Sequence, residues 1–151
     1  MRAAGAALAC VLGVLAAEAA DAPLPEVAAA LDRIKSASTV ELTTTGRKTG
    51  KEHKKPVWFV VEDGTIVVQA GKDGKTDWYR NLTKTPTAVV RQDGYSFRVR
   101  AAMVTDAQRV EAVHKLFTAK YTTAWLLSFL GSSIGQGRPV ALVPVAVSVK
   151  R

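Results

Sequence analysis

LTTTGRKTGKEHKKPVWF, running from Leu42 to Phe59, sets a glycine-bracketed basic turn between two strand-like runs, and the rest of the chain is read around it. Val40 to Thr45 is rich in β-branched residues, whose crowded Cβ suits a pleated strand better than a helix. Gly46 and Gly50 are expected to take positive φ and fold the backbone around Arg47, Lys48 and Thr49. Pro56 to Val61 reads as the next strand, with the proline near its start, where a missing N–H is tolerated. Between the two runs stand Arg47, Lys48, Lys51, Lys54 and Lys55 with His53, opposed only by Glu52. So dense a cluster repels itself unless an anion joins it. A phosphate or carboxylate would make charge-assisted hydrogen bonds there, the arginine as a planar fork and the lysines as point charges. The same composition also fits a solvated hairpin tip.

Outward from that turn the pattern is β-rich. Asp63-Gly64 and Asp93-Gly94 each lie between apolar or alternating runs, the strongest short-range hairpin signal. Strands are expected over Val57 to Glu62, Thr65 to Ala70, Thr87 to Gln92, Tyr95 to Val104 and Val140 to Val149. Asp77 is placed to cap a short helical turn through Leu82. Before the turn, Pro25 and Glu26 open a segment with Val27, Leu31 and Ile34 at helical spacing. After the sheet, Thr105 and Gln108 form a capping-box pattern ahead of a helix with Val110, Val113, Leu116 and Phe117 on one face. Tyr121 to Leu130 is more apolar and reads as a second helix or lid. The fold expected is mainly β (α+β), a barrel-forming antiparallel sheet of about six strands with flanking helices.

Residues 1–20 read differently. Met1-Arg2 precedes an apolar run from Ala3 to Ala17 and the triplet Ala17-Glu18-Ala19, as in a secretory signal peptide with an A-x-A type site. The expectation is export to the periplasm or medium if the leader is cleaved, and otherwise a membrane anchor. Residues 21–151 are then one domain, large enough for a single core. Cys10 is the sole cysteine, so the domain has no disulfide or thiolate chemistry. With 21 Lys+Arg against 13 Asp+Glu, the net charge of +8 favours anionic partners.

Several motifs fail on context. Gly131-Ser132-Ser133-Ile134-Gly135 matches G-x-S-x-G, but it follows a helix-like run and no histidine occurs after His114. His53 and His114 stand without the carboxylates of a metal-ligand set, and a surface role is expected for both. Asn81-Leu82-Thr83 is a glycosylation sequon inside a helical turn. Nucleic acid is not the expected partner, because the charge comes with no recognised nucleic-acid motif.

LTTTGRKTG, Leu42 to Gly50, resembles the signature of the deazaflavin-dependent nitroreductase family, a branch of the flavin and deazaflavin oxidoreductases with a split β-barrel fold. Pro56 with Trp58, the strand Ile66 to Ala70 followed by Gly71, Lys72 and Gly74, the run Trp78, Tyr79, Asn81, Leu82, and Pro86 follow in the family's order. The resemblance covers Val40 to Arg100 best. It implies an F420-dependent oxidoreductase, with hydride passing from the reduced deazaflavin coenzyme F420 to a nitroaromatic, quinone or activated alkene, a small hydrophobic acceptor. It further implies that Arg47, Lys48, Lys54, Lys55 and Lys72 bind the anionic tail, and that Trp58, Ala70 and Gly71 lie near the ring system. Trp78, Tyr79 and Asn81 would fix the pocket loop, and Tyr121 and Trp125 would line the acceptor wall. Where the family carries a further arginine after the turn, this chain has His53. Split barrels of this kind often pair, so a homodimer is within the expectation. The alternative is an exported, noncatalytic split barrel that holds flavin mononucleotide, haem or a lipid.

Overall fold

The computed structural model describes residues 24–121 and 137–150. The leader, Trp125 and the Gly131 to Gly135 motif lie outside the described residues. Strand β1 (Val40–Thr45) pairs antiparallel with β2 (Glu52–Val57), from Val40 opposite Val57 to Thr45 opposite Glu52. The basic stretch is therefore largely strand rather than turn. The strand expected from Pro56 to Val61 begins earlier, at Glu52, and breaks at Trp58. Two physical effects explain the shift. The ladder to β1 pairs the β1-facing backbone groups of residues 52 to 57. In addition, β2 is an edge strand, so His53, Lys54 and Lys55 stay in solvent and their charge costs little.

The remaining strands are β3 (Phe59–Glu62), β4 (Thr65–Ala70), β5 (Thr87–Gln92), β6 (Tyr95–Met103) and β7 (Arg138–Val149). Asp63-Gly64 turns β3 into β4 with φ of 48° and 71°, and Asp93-Gly94 turns β5 into β6 with 48° and 78°. Both pairs have the doubly positive φ of a type I′ turn, whose twist matches the flanking strands. The sheet runs β2-β1-β5-β6-β7-β4-β3, antiparallel throughout. Its two edge strands are consecutive in sequence and joined through Trp58 alone, so the curled sheet brings its edges together at that residue, as in a split barrel. A register shift at Arg98/Val99 in the β6–β7 pair adds to the curl. Seven strands stand where about six were expected, because the basic stretch from Glu52 to Val57 pairs with β1 as a strand of its own that ends at Trp58.

Helix α1 (Pro25–Ile34) buries Val27, Ala30, Leu31 and Ile34 in the barrel core with Phe59, Phe97 and Leu142. Along β3 and β4 the side chains alternate. Phe59, Ile66 and Val68 face that core, whereas Val60 and Val67 face a second cluster with Val113, Phe117 and Tyr121. Helix α3 (Ala107–Lys120) thus covers the outer face of the sheet, which is why Val67 is fully buried beside its neighbours. Its face is narrower than the sequence suggests, since Leu116 is exposed while Val113 and Phe117 are buried. The cap is Asp106, whose carboxylate accepts from the Gln108 N–H at 3.0 Å, rather than Thr105. Asp106 directly precedes the first helical residue, which puts its oxygen in reach of that amide.

Candidate functional site

The short helix α2 (Asp77–Lys84) holds the basic turn in place. Trp78 and Leu82 sink into the barrel core, which turns the face carrying Asp77, Asn81 and Lys84 toward the turn. Asn81 is only 3% exposed. Its Oδ1 accepts from the Arg47 backbone N–H and from Arg47 Nη1, both at 3.1 Å, and its Nδ2 donates to Thr44 Oγ1 at 3.1 Å. Arg47 Nη2 donates to Asp77 Oδ1 at 3.0 Å, and Lys84 Nζ donates to the Arg47 carbonyl at 2.7 Å. The turn is therefore stitched to α2 along its backbone and its arginine. Asp77 does not cap the helix, as the sequence pattern suggested. Thr76 occupies that position without a side-chain cap bond, and the Asp77 carboxylate goes to Arg47, whose hydrogen bond and charge hold it below the usual carboxylate range.

The two glycines of the turn serve different ends. Gly50 takes φ of +70° as expected. Gly46 does not need positive φ; it is required for close approach. A Cβ there would fall 2.6 Å from His53 Nε2 and 3.1 Å from the Lys51 carbonyl, to which the Gly46 N–H donates at 2.7 Å.

Turn, β2 and the start of α2 enclose a cleft of about 890 Å³. Arg47, Lys48, Lys54, Lys55, Lys75 and His53 line it, over Trp78 and Asn81. Lys54 has a distant, exposed partner in Glu41 at 3.8 Å. Among the described residues, no carboxylate lies within ion-pair distance of Lys48, Lys55 or Lys75. Thr76 Oγ1, on the same wall, is buried without a hydrogen-bond partner. Unmatched cations beside an unsatisfied hydroxyl make a surface suited to a ligand with several anionic oxygens.

Of the residues singled out from sequence, the cleft gathers Arg47, Lys48, Lys54, Lys55, Trp78 and Asn81. Ala70, Gly71, Tyr79, Trp58 and Tyr121 lie outside that lining. Ala70 is fully buried at the end of β4 and Gly71 follows it, with open space where a Cβ would stand. Lys72 opens the 3-10 turn Lys72–Gly74. Tyr79 lies beside Arg138 at Gly74, and Arg138 pairs with Asp73 at 2.9 Å. Trp58 stacks on Tyr121 with ring centroids 4.5 Å apart, on the side covered by α3. Tyr121 is buried there. Its hydroxyl accepts from the Phe59 N–H at 3.1 Å and donates to the Ser38 carbonyl at 2.8 Å. His114, half-buried, bonds the Gly137 carbonyl through Nε2 at 2.9 Å. Lys75, Thr76 and Lys84 escaped the sequence reading. Lys84 shares a helix face with Asp77 and Asn81, a signal that appears once the helix is carried past Leu82.

Lys120 and Tyr121 together give a pH signature. Burial pushes the Lys120 ammonium down from 10.5 to about 8, although its bond to the Phe59 carbonyl at 2.8 Å and its position 3.6 Å over the Phe59 ring favour the charged form. Burial pushes the Tyr121 hydroxyl up from 10.0 to about 12, against the opposing effect of its backbone bond to Phe59. Between about 8 and 10.5 the unfolded chain holds more protons at Lys120, so stability rises with pH. Between 10.0 and about 12 the folded chain holds more at Tyr121, so stability falls. Urea midpoints measured across this range should climb and then drop, with Lys120→Met removing the climb and Tyr121→Phe the drop.

The family model for F420H(2)-dependent quinone reductases matches residues 25–143, and the chain belongs to that family. It is thus an oxidoreductase whose cofactor is coenzyme F420. An F420-H2 dependent reductase of known structure is 27% identical, with a TM-score of 0.53 over 71% of this chain and 94% of that one. A conserved hypothetical protein from Mycobacterium tuberculosis shares the fold with a TM-score of 0.65 at 22% identity, covering 84% of this chain and 85% of its own. HutZ, a haem storage protein from Vibrio cholerae, shares it at 16% identity with a TM-score of 0.61, covering 85% and 95%.

Proposed function

We propose that this chain reduces small hydrophobic electrophiles, quinones above all and also nitroaromatics and activated alkenes, with the cationic cleft holding the anionic tail of the cofactor. The convergence of Lys48, Lys55 and Lys75, free of ion pairs among the described residues, on one cleft carries this reading. Lys54 adds charge from the edge strand, and the Thr76 hydroxyl supplies a buried donor. Asn81 and Lys84 keep Arg47 and its turn in register with that charge. When bound, the reduced deazaflavin supplies a hydride. Gly71, open on its side-chain face, leaves its backbone accessible to a flat ring beyond the tail. Tyr121 keeps its proton in backbone hydrogen bonds, so water is the proton source for the reduced acceptor in this reading.

The test is stopped-flow oxidation of reduced coenzyme F420 by the full chain with a short-chain quinone, a nitroaromatic and an activated alkene in parallel. Acceptor-dependent oxidation, fastest with the quinone, is expected. Oxidation no faster than in buffer with all three would end the reading. Residues 1–20 are taken as a leader that exports the domain to the periplasm or medium when cleaved and anchors it to the membrane when not, and two copies as the assembled form. Fractionation of expressing cells and light scattering measure these two points directly.

A further inference from the structure

Asp77 is the one carboxylate among the described residues lining the cationic cleft. Its side chain is 84% exposed, whereas that of Arg47, its partner, is 23% exposed. The contact is a single bond from Nη2 to Oδ1 at 3.0 Å rather than a paired fork. Arg47 does not depend on it for position, because Asn81 grips both its backbone N–H and its Nη1. An acid placed among lysines also has the wrong sign for a site whose ligand is anionic.

Resting on the cofactor reading above, we infer that Asp77 is a resident counter-anion, occupying the outer edge of the Arg47 guanidinium until an anionic group of the ligand displaces it. The consequence is selectivity. A small anion that offers one contact must compete with a carboxylate already in place at Arg47. A ligand with several anionic groups engages the unpaired lysines as well, and so displaces Asp77 with help from contacts that the small anion lacks. The exposed Asp77 side chain can swing into water when displaced, since a solvated carboxylate loses little by leaving a single surface pair.

The experiment titrates the full chain, Asp77→Asn and Asp77→Glu with inorganic pyrophosphate, following the guanidinium resonances of 15N-arginine-labelled protein, with Arg47→Lys to assign the signal. The Arg47 signal should shift in the parent chain, and Asp77→Asn should bind about fivefold tighter, while Asp77→Glu binds as the parent does. Unchanged or weaker binding in Asp77→Asn would overturn the inference, as would an Arg47 signal that does not move. A purely structural Asp77 gives the weaker result, because its loss would loosen the turn. Coenzyme F420 is titrated separately. A chain that binds pyrophosphate at Arg47 and ignores coenzyme F420 would sink the cofactor reading and leave the counter-anion standing.

Discussion

Replacing Asn81 with alanine is expected to cost the fold about 3 kcal/mol and to remove measurable cofactor binding, from a position that need not touch the ligand. Three hydrogen bonds meet on this one buried amide. Alanine leaves the Arg47 N–H and the Thr44 hydroxyl without their partner and opens a gap under the turn. The stability loss is read from urea midpoints, and the binding loss from quenching of deazaflavin fluorescence. Asn81→Asp separates the two effects. It keeps the acceptor for Arg47 but gives up the donor to Thr44, so binding should survive in part while stability still falls. A turn that held its shape without Asn81 would show neither loss.

The second large effect concerns affinity with no change in stability. Lys48→Ala combined with Lys55→Ala should weaken binding of coenzyme F420 about a hundredfold, or about tenfold for each charge-assisted contact removed. The urea midpoint should stay where it was, because neither lysine has an ion pair among the described residues and both are exposed. Added salt should also weaken the parent more than the variant, since the variant has fewer exposed charges for the ions to screen. Arg47→Ala makes an instructive contrast. Arg47 is bonded to Asp77 and Asn81, so its loss should lower stability as well as affinity.

The difference between these two predictions follows from what the sequence could reveal. The hairpins at Asp63-Gly64 and Asp93-Gly94 were legible because a type I′ turn places its demand on two adjacent residues. Helix α1 was legible from Val27, Leu31 and Ile34, whose spacing alone fixes the buried face. The concentration of cations near Gly46 was plain in the chain, and the cleft gathers four of those side chains, Arg47, Lys48, Lys54 and Lys55. What stayed hidden is relational. Nothing in GRKTG says that its arginine is held by an aspartate thirty positions away and an asparagine thirty-four away, since that pairing exists only once α2 has docked in the barrel. The local position of Asp77 suggests a cap, and tertiary contact with Arg47 outweighs that preference. The extent of β2 was hidden for a similar reason, as the ladder to β1 draws charged residues into a strand that their own propensities disfavour. Gly46 was matched to the right place for the wrong cause, because the proximity of His53 arises from strand pairing across the turn.

Arg47 also shows how a sequence motif can mislead about roles while marking the right place. Its residue type suggests a phosphate fork. In the structure two of its donor groups are occupied from within the protein, and the unpaired charge lies on the lysines around it. The turn is thus better described as a scaffolded arginine surrounded by available ammonium groups. A scaffolded site of this kind holds its charge in position before the ligand arrives, which reduces the ordering that binding requires.

The most direct measurement is an equilibrium titration of the full chain, and of its Lys48→Ala/Lys55→Ala variant, with oxidised coenzyme F420, flavin mononucleotide and haem in parallel. The account predicts saturable binding of coenzyme F420 in preference to the other two, and a loss of about a hundredfold in the variant. Preference for flavin mononucleotide or haem, or binding of coenzyme F420 that survives removal of both lysines, would contradict the claim that this cleft is where the cofactor's anionic tail is held.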